Sequence, residues 1–263
     1  MSDPTCPASP LTVQSWQSPA TLLYLLCTAQ VKLVDRAGRS YTVPHTWSAQ
    51  RKLQVLDINL QNWAQPLLVP PFTRLGFERR EVPSDLLDLL LSSLDLARAV
   101  REPCIPSGHI NCQEEDKEDG ARVEIIPLRR DKEVRRELGL GLLEVAEEWS
   151  GLELELSTVY GPRRYSRHSR LSLHVDRLST HVISAIINIQ QQVDTPWLLD
   201  ILDNSGRAHQ VELRPGEMLL YESARLPHGR TRGLEGENYT NIFIHFRPTN
   251  IQWFTDDGIW KLK

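Results

Sequence analysis

The sequence predicts a mainly β fold of the sandwich or barrel class, with helices placed ahead of the β-rich part. From residue 152 onward the chain consists of short segments in which apolar and polar residues alternate, such as RLSLHVD, AHQVEL and EMLLYES. Turn signals separate these segments, among them DNSG at 203–206, RPGE at 214–217 and LEGEN at 234–238. Many short strands at regular spacing are typical of sandwiches and barrels, a class that includes jelly rolls.

The chain before this block is organised differently. We predict an N-terminal region of uncertain fold over residues 1–125 and a β-rich domain of the sandwich or barrel class over residues 126–255. Residues 103–122 are rich in proline, glycine and acidic residues, and they predict a flexible, exposed loop.

Two helices are predicted outside the strands. The segment PSDLLDLLLSSLDLARAV predicts a helix over 83–100 that Ser84 can cap, because apolar residues recur at intervals of three and four. A second helix is predicted over 131–151, where acidic residues come early and a glycine marks the end. The predicted fold is therefore α+β but mainly β.

Composition narrows the class of protein. The fractions of apolar (40%) and charged (24%) residues are those of an ordinary globular protein. A net charge of −4 and a pI near 6.1 give no electrostatic reason to expect nucleic acid or an anionic membrane as a partner. Four irregularly spaced cysteines without a CxxC pair predict free thiols, with a bridge between Cys104 and Cys112 in one polar loop as the alternative. No signal peptide or transmembrane segment is evident, so we expect a soluble, intracellular protein, with the cytoplasm favoured.

The segment RLSLHVDRLSTH, residues 170–181, carries the first chemical signal. It alternates like a strand, and side chains two positions apart on a strand share a face. His174 and Asp176 are thereby expected to converge, either on one metal ion or in a hydrogen bond to each other. The His-x-Asp spacing is common by chance, so context has to supply the specificity.

That context is a third residue, His228, which follows the predicted strand EMLLYES. Two histidines and one carboxylate form the facial triad of non-haem Fe(II) oxygenases, which leaves coordination positions open. The alternative to a metal ligand is that His228 is a surface residue. The other strand histidines, His181, His209 and His245, are expected to have structural roles.

Four segments of the chain carry a family resemblance: YSRHSRLSLHVDRLSTHVISAIINI, WLLDI, GEMLLYESARLPHGR and YTNIFIHF. Together they resemble the 2-oxoglutarate- and Fe(II)-dependent dioxygenases, specifically the prolyl 4-hydroxylase-like branch. The resemblance covers roughly residues 150–250. It implies a double-stranded β-helix (jelly roll) with supporting helices packed outside, and Fe(II) and 2-oxoglutarate as cofactors. It implies His174, Asp176 and His228 as iron ligands, and Tyr165 as a donor to the end carboxylate of 2-oxoglutarate.

The chain departs from the family pattern at three positions. His168 and Leu171 stand where the family has a glycine and a second aromatic residue between Tyr165 and His174. In prolyl hydroxylases a lysine about ten residues after the distal histidine pairs with that carboxylate, and here Asn238 stands at this place. A buried dicarboxylate still needs a cation. We expect Arg230, two residues past the distal histidine, to supply it, with Arg232 and Arg247 as further candidates.

The resemblance implies hydroxylation of a C–H bond, with a prolyl residue as the first substrate to consider. The sequence leaves open a peptide or small-molecule substrate, the oligomeric state and any need for ascorbate. Two alternatives belong to other classes: another jelly-roll metalloenzyme, such as a zinc hydrolase or a dioxygenase that does not use 2-oxoglutarate, and a non-catalytic jelly-roll binding protein.

Overall fold

The structure is a computed structural model that describes residues 61–102 and 121–249, together with the backbone of residues 32–34 and 40–42. The four cysteines and most of the predicted loop lie outside the described residues. The chain forms two compact units, residues 1–64 and 65–263. In the first unit, strand β1 (Lys32–Val34) pairs antiparallel with β2 (Ser40–Thr42). Helix α1 spans 61–68, and its residues from Gln65 onward belong to the second unit.

The second unit contains the remaining strands and helices. Its strands are β3 (Phe77–Glu81), β4 (Val100–Arg101), β5 (Val123–Ile125), β6 (Leu154–Ser166), β7 (Leu171–His174), β8 (Ile183–Val193), β9 (Leu199–Leu202), β10 (Ala208–Val211), β11 (Glu217–Tyr221), β12 (His228–Arg230) and β13 (Gly236–Pro248). Its helices are α2 (Ser84–Ser93), α3 (Asp131–Gly141) and α4 (Leu143–Ser150), with a 3₁₀ turn at Leu96–Arg98.

These strands form two antiparallel sheets that are connected in the order of a jelly roll. The small sheet has the order β10-β9-β12-β7, and the large sheet has the order β3-β11-β8-β13-β6-β5-β4. From β6 to β13 the chain passes back and forth between the two sheets, which is the winding of a double-stranded β-helix. The predicted jelly-roll fold is confirmed. Strands β3, β4 and β5, from the predicted N-terminal region, extend the large sheet at its two edges.

The first predicted helix is shorter than the apolar repeat indicated. It was expected over 83–100, but α2 ends at residue 93, and the N-cap position is held by Pro83 without a side-chain cap. Leu94 is already extended, with φ −63° and ψ 133°, and it forms an isolated antiparallel bridge with Leu128. This strand-like pairing outside the helix overrides the helical periodicity of the sequence.

The second predicted helix, 131–151, is divided into two. Helix α3 ends at Gly141, and α4 begins one residue after Leu142. The predicted glycine stop is confirmed, because Gly151 has φ 69° and terminates α4 in the left-handed conformation. None of the described helices is long and apolar enough to cross a membrane.

Strand β8 shows how the two faces of the large sheet differ. Ile183, Ala185 and Ile187 belong to the core that the helices cover. Ile186, on the opposite face, packs with residues of the small sheet such as Leu199. The polar residues of β8 that share the face of Ile186 therefore point into the space between the sheets, where the candidate site lies.

Candidate metal centre

The structure brings together the three residues predicted to bind metal. His174 is the last residue of β7, and its register partner is His228, the first residue of β12. Asp176 lies two residues beyond the end of β7, so it reaches the site from a turn rather than from the predicted strand. One ligand atom from each residue lies within 4.8 Å of the others.

The distances place the carboxylate between the two imidazoles. Asp176 Oδ1 lies 3.6 Å from His174 Nε2 and 3.9 Å from His228 Nε2. The two imidazole rings are 4.5 Å apart between centroids. Both histidines are buried, at 6% and 3% exposure, so this cluster is shielded from solvent.

Backbone hydrogen bonds fix which nitrogen of each ring faces the carboxylate. His174 Nδ1 lies 2.8 Å from the carbonyl oxygen of Ser172, and His228 Nδ1 lies 2.8 Å from that of Leu226. A carbonyl oxygen only accepts, so Nδ1 carries a proton in each ring, and in the neutral form of the imidazole Nε2 carries the lone pair. Metal-ligating histidines are oriented in this way by the groups behind them.

Two contacts from the segment at the end of β11 orient the carboxylate. The backbone N–H of Asp176 donates to the carbonyl of Ser223 at 2.9 Å, and the Tyr221 hydroxyl lies 3.4 Å from Asp176 Oδ2. The Tyr221 ring also lies edge-on to His228 at 4.8 Å. Burial, and then the charge of Asp176, raises the pKa of Tyr221 well above its ordinary value of 10.0, so its hydroxyl keeps its proton.

A second pair of histidines has no carboxylate between its rings. His181 and His245 lie 3.8 Å apart between ring centroids. His245 Nδ1 is 2.7 Å from Ser184 Oγ, which is 2.6 Å from Ser223 Oγ, and the latter donates to the carbonyl of His181. Burial is the main cause that lowers the pKa of both imidazoles, and it lowers that of His245 strongly. The lowered pKa values favour the neutral form of both rings, and the structural role expected for these histidines remains a prediction.

The cation expected for the co-substrate is also buried in the barrel. Arg230 is 2% exposed, its Nη1 donates to the carbonyl of Trp197, and its Nη2 donates to the Tyr239 hydroxyl at 3.1 Å. Its guanidinium carbon lies 4.6 Å and 4.4 Å from the centroids of these two aromatic rings. Within residues 61–102 and 121–249, no carboxylate forms an ion pair with it.

The other predicted anchors have different environments. Arg232 is exposed, and Arg247 Nε donates to Glu155 Oε1 at 2.5 Å on the surface. Tyr165 is buried in the same aromatic cluster as Trp197, with ring centroids 5.2 Å apart, but its hydroxyl accepts a 3.4 Å hydrogen bond from another arginine. Of the three predicted arginines, Arg230 is the buried one.

Sequence reasoning missed the two aromatic partners of this arginine. Trp197 follows the end of β8, and Tyr239 lies on β13, so neither is near position 230 along the chain except through the fold. A weak signal was present for Tyr239, which stands directly beside Asn238 at the place where the family has its lysine.

No family model matches the chain, and no curated protein matches it. Solved structures do show similarity. A prolyl-4-hydroxylase from Pseudomonas putida is 16% identical, with a TM-score of 0.43 over 71% of this chain and 100% of that chain. HygX from Streptomyces hygroscopicus, solved with nickel, 2-oxoglutarate and hygromycin B bound, is 18% identical, with a TM-score of 0.45 over 70% of this chain and 90% of that chain.

A third similar structure is a prolyl hydroxylase from Trichoplax adhaerens in complex with a peptide fragment of the hypoxia inducible factor oxygen degradation domain. It is 12% identical, with a TM-score of 0.42 over 76% of this chain and 94% of that chain. Because these identities are below 25% and the TM-scores are below 0.5, the likenesses assign no function to this chain. Its function has to be argued from its own residues, which combine a His-Asp-His cluster and a buried arginine inside one jelly roll.

Proposed function

We propose that this protein is an Fe(II)- and 2-oxoglutarate-dependent dioxygenase that hydroxylates a C–H bond, with a prolyl residue as the first substrate to test. One observation carries the proposal. The ligand atoms of His174, Asp176 and His228 converge in the same barrel that buries Arg230 without a carboxylate partner among the described residues.

The three residues fit a divalent iron. Two neutral imidazoles and one carboxylate provide three donors, whereas a structural zinc site usually has four protein donors. Within the described part of the chain, no other group of three such residues comes this close together. Bound here, Fe(II) would supply O₂ activation and, with 2-oxoglutarate as co-substrate, the oxidation of a C–H bond.

Arg230 fits one end of the co-substrate. A buried guanidinium is costly unless it is paired with an anion, and its planar fork suits a carboxylate. His228 and Arg230 lie two positions apart on β12, which corresponds to about 7 Å along a strand. A short dicarboxylate would fit this separation: its keto-acid end would bind a metal held by His174, Asp176 and His228, and its far carboxylate would pair with Arg230. Tyr165 and Tyr239 belong to the aromatic cluster beside that arginine.

The remaining residues of the site hold and shield the reacting groups. The carbonyls behind His174 and His228 keep each Nε2 aimed at the metal position, and Tyr221 holds the outer oxygen of Asp176. The aromatic rings around Arg230 exclude water from its charge, which strengthens any ion pair formed there. No side-chain nucleophile is required for this chemistry.

The test is an anaerobic calorimetric titration of metal-free protein with Fe(II) and then with 2-oxoglutarate. We expect 2-oxoglutarate to bind only after the metal, and both to be lost in His174→Ala. His168→Asn is the matched control, because His168 is exposed and has φ 68°, a conformation that asparagine tolerates. Metal binding without a response to 2-oxoglutarate would favour another jelly-roll metalloenzyme, and no metal binding would favour a binding protein.

The prolyl part of the proposal is supported by the motif resemblance alone. It is tested by incubating the iron-loaded protein with proline-containing peptides and 2-oxoglutarate, and by following succinate together with the gain of one oxygen atom in the peptide. Succinate formation without peptide oxidation would keep the dioxygenase and reject these peptides as substrates.

A further inference from the structure

A buried glutamine connects the segment that carries Asp176 with the β11–β12 connection that leads to His228. Gln65 is 7% exposed, and its Nε2 donates to the carbonyl of Asp176 at 2.7 Å and to the carbonyl of Ala224 at 2.6 Å. Asp176 is itself a candidate ligand, and Ala224 precedes His228 by four residues in the connection from β11 to β12. One side chain thus bridges both ligand-bearing segments.

The chemistry of the amide makes this bridge specific. An amide NH₂ group has two hydrogens, and here each of them has a carbonyl acceptor. The orientation of the Gln65 amide is determined by these contacts, because its oxygen in the same place would face two carbonyl oxygens. A side chain without an N–H donor at this depth would leave both carbonyls without that partner, at a cost that burial increases.

The bridge reinforces a direct contact between the same two segments. The N–H of Asp176 donates to the carbonyl of Ser223, the residue before Ala224. The backbone of the carboxylate ligand is therefore held on both sides. Its N–H is fixed by the β11–β12 connection, and its C=O is fixed by Gln65, which also binds that connection.

Gln65 is held in place by contacts that do not involve the metal ligands. Arg225 Nη1 donates to the carbonyl of Pro66 at 2.9 Å and also to that of Val69. Farther along, the N–H and hydroxyl of Thr73 donate to Glu222 Oε1 at 2.7 and 2.8 Å. The segment 65–73 is thus fastened to the β11–β12 connection at both of its ends.

We propose that Gln65 is a positioning residue for the metal centre. The three ligands come from two separate chain segments, so affinity depends on how well those segments are held relative to each other before the metal arrives. By binding the carbonyls of Asp176 and Ala224, Gln65 fixes the carboxylate ligand relative to His228. This role rests on the proposed function to the extent that the centre binds Fe(II).

The experiment compares Gln65→Met with Gln210→Met. Both substitutions remove a side-chain amide and keep the length of the side chain. Gln210 differs from Gln65 because it is exposed on β10 and donates to Asp200 Oδ1. We expect Gln65→Met to bind Fe(II) about 10- to 100-fold more weakly than wild type. Its Co(II) complex should also have an altered absorption spectrum, which a change of stability alone would not produce. Gln210→Met should match wild type in both measurements.

Equal Fe(II) affinities and Co(II) spectra for wild type and Gln65→Met would overturn the positioning role. If Gln65→Met does not fold, Gln65→Ala is measured, because it leaves space for water between the two carbonyls. Its Fe(II) affinity should again be weaker, and a value equal to wild type would overturn the role in the same way. Failure of the wild-type protein to bind Fe(II) would reject the proposed function first and this role with it.

Discussion

Arg163 and Arg230 occupy similar surroundings in two regions of the barrel. Each guanidinium lies against two aromatic rings. The distances to the ring centroids are 4.7 and 5.9 Å for Arg163 with Tyr160 and Tyr165, and 4.6 and 4.4 Å for Arg230 with Trp197 and Tyr239. Stacking on aromatic rings therefore does not distinguish the two arginines.

The difference lies in their charged partners. Arg163 binds Glu102 through two nitrogens, with Nε 2.7 Å from Oε2 and Nη2 2.5 Å from Oε1. Burial works against the charge of Arg163, but Tyr165 and Glu102 outweigh it and its pKa is raised. The hydrogen-bond acceptors of Arg230 are a carbonyl and a phenol, which are both neutral.

A buried guanidinium requires a counter-ion, and the two arginines differ in where that counter-ion comes from. Arg163 has its counter-ion within the chain, so its charge contributes to the structure. Arg230 is at least as deeply buried and has no such counter-ion among the described residues, so an anion from outside the chain would complete it. The following predictions test this difference.

The largest effect is expected from Arg230→Met. Removing the cation should weaken 2-oxoglutarate binding by about 3 kcal/mol, or roughly a hundredfold, because the far carboxylate would be buried without a partner. Fe(II) affinity should stay at the wild-type value. Calorimetry on the Fe(II)-loaded protein measures both, with exposed Arg232→Met as the control. An unchanged 2-oxoglutarate affinity would remove Arg230 from the site.

Arg163→Met should have the opposite effect: it should destabilise the fold rather than weaken 2-oxoglutarate binding. It leaves the carboxylate of Glu102, whose side chain is 16% exposed, without its counter-ion, and it should lower the free energy of unfolding by about 3 kcal/mol. Adding Glu102→Gln should recover part of this loss. Urea denaturation of the metal-free protein provides the measurement. A loss of 2-oxoglutarate affinity as large as that of Arg230→Met would mean that the two arginines share one role.

The sequence predicted the proximity of the candidate metal ligands better than the surroundings of the candidate anchor Arg230, for a physical reason. His174 and Asp176 are separated by one residue, so local spacing alone predicts that they lie close together. Their tautomers and orientation depend on the carbonyls of Ser172 and Leu226, which no residue pattern encodes. The sequence could therefore suggest the ligand types but not how they are held.

The environment of Arg230 could not be predicted from local patterns. Trp197 and Tyr239 reach it from separate parts of the chain, and only the pairing of the strands makes them neighbours. The same limit applies to Gln65, which lies more than a hundred residues from Asp176. The sandwich or barrel class was predictable because strand alternation repeats, and the motif resemblance narrowed it to a jelly roll. The end of α2 was not predictable, because a bridge to Leu128 determines it.

A buried ionisable side chain can also lose its charge, and His245 is an example. Its pKa is lowered well below 6.5 by burial and then by His181 and His228. The unfolded chain thus binds more protons below pH 6.5, so stability is fully present above that pH and decreases as the pH falls. The contribution is at most about 1.4 kcal/mol per pH unit. Urea denaturation of the metal-free protein at several pH values between 7 and 5 gives the free energy of unfolding as a function of pH. This free energy should fall less steeply with pH in His245→Gln than in wild type, and equal pH dependence would contradict the assignment.

The smallest expected effect distinguishes Tyr239, which is bound to Arg230, from Tyr165, which is bound to Arg163. The Tyr239 hydroxyl accepts a hydrogen bond from Arg230 and donates to the carbonyl of Leu213 at 3.1 Å, so it helps to fix the guanidinium. Tyr239→Phe keeps the aromatic ring and should weaken 2-oxoglutarate binding by about 1 kcal/mol, or roughly fivefold. Tyr165→Phe is the matched variant, because the hydroxyl of Tyr165 binds Arg163 instead. A larger loss in Tyr165→Phe would show that Tyr165 itself donates to the co-substrate, as the motif resemblance implies, and that the binding region extends towards Arg163.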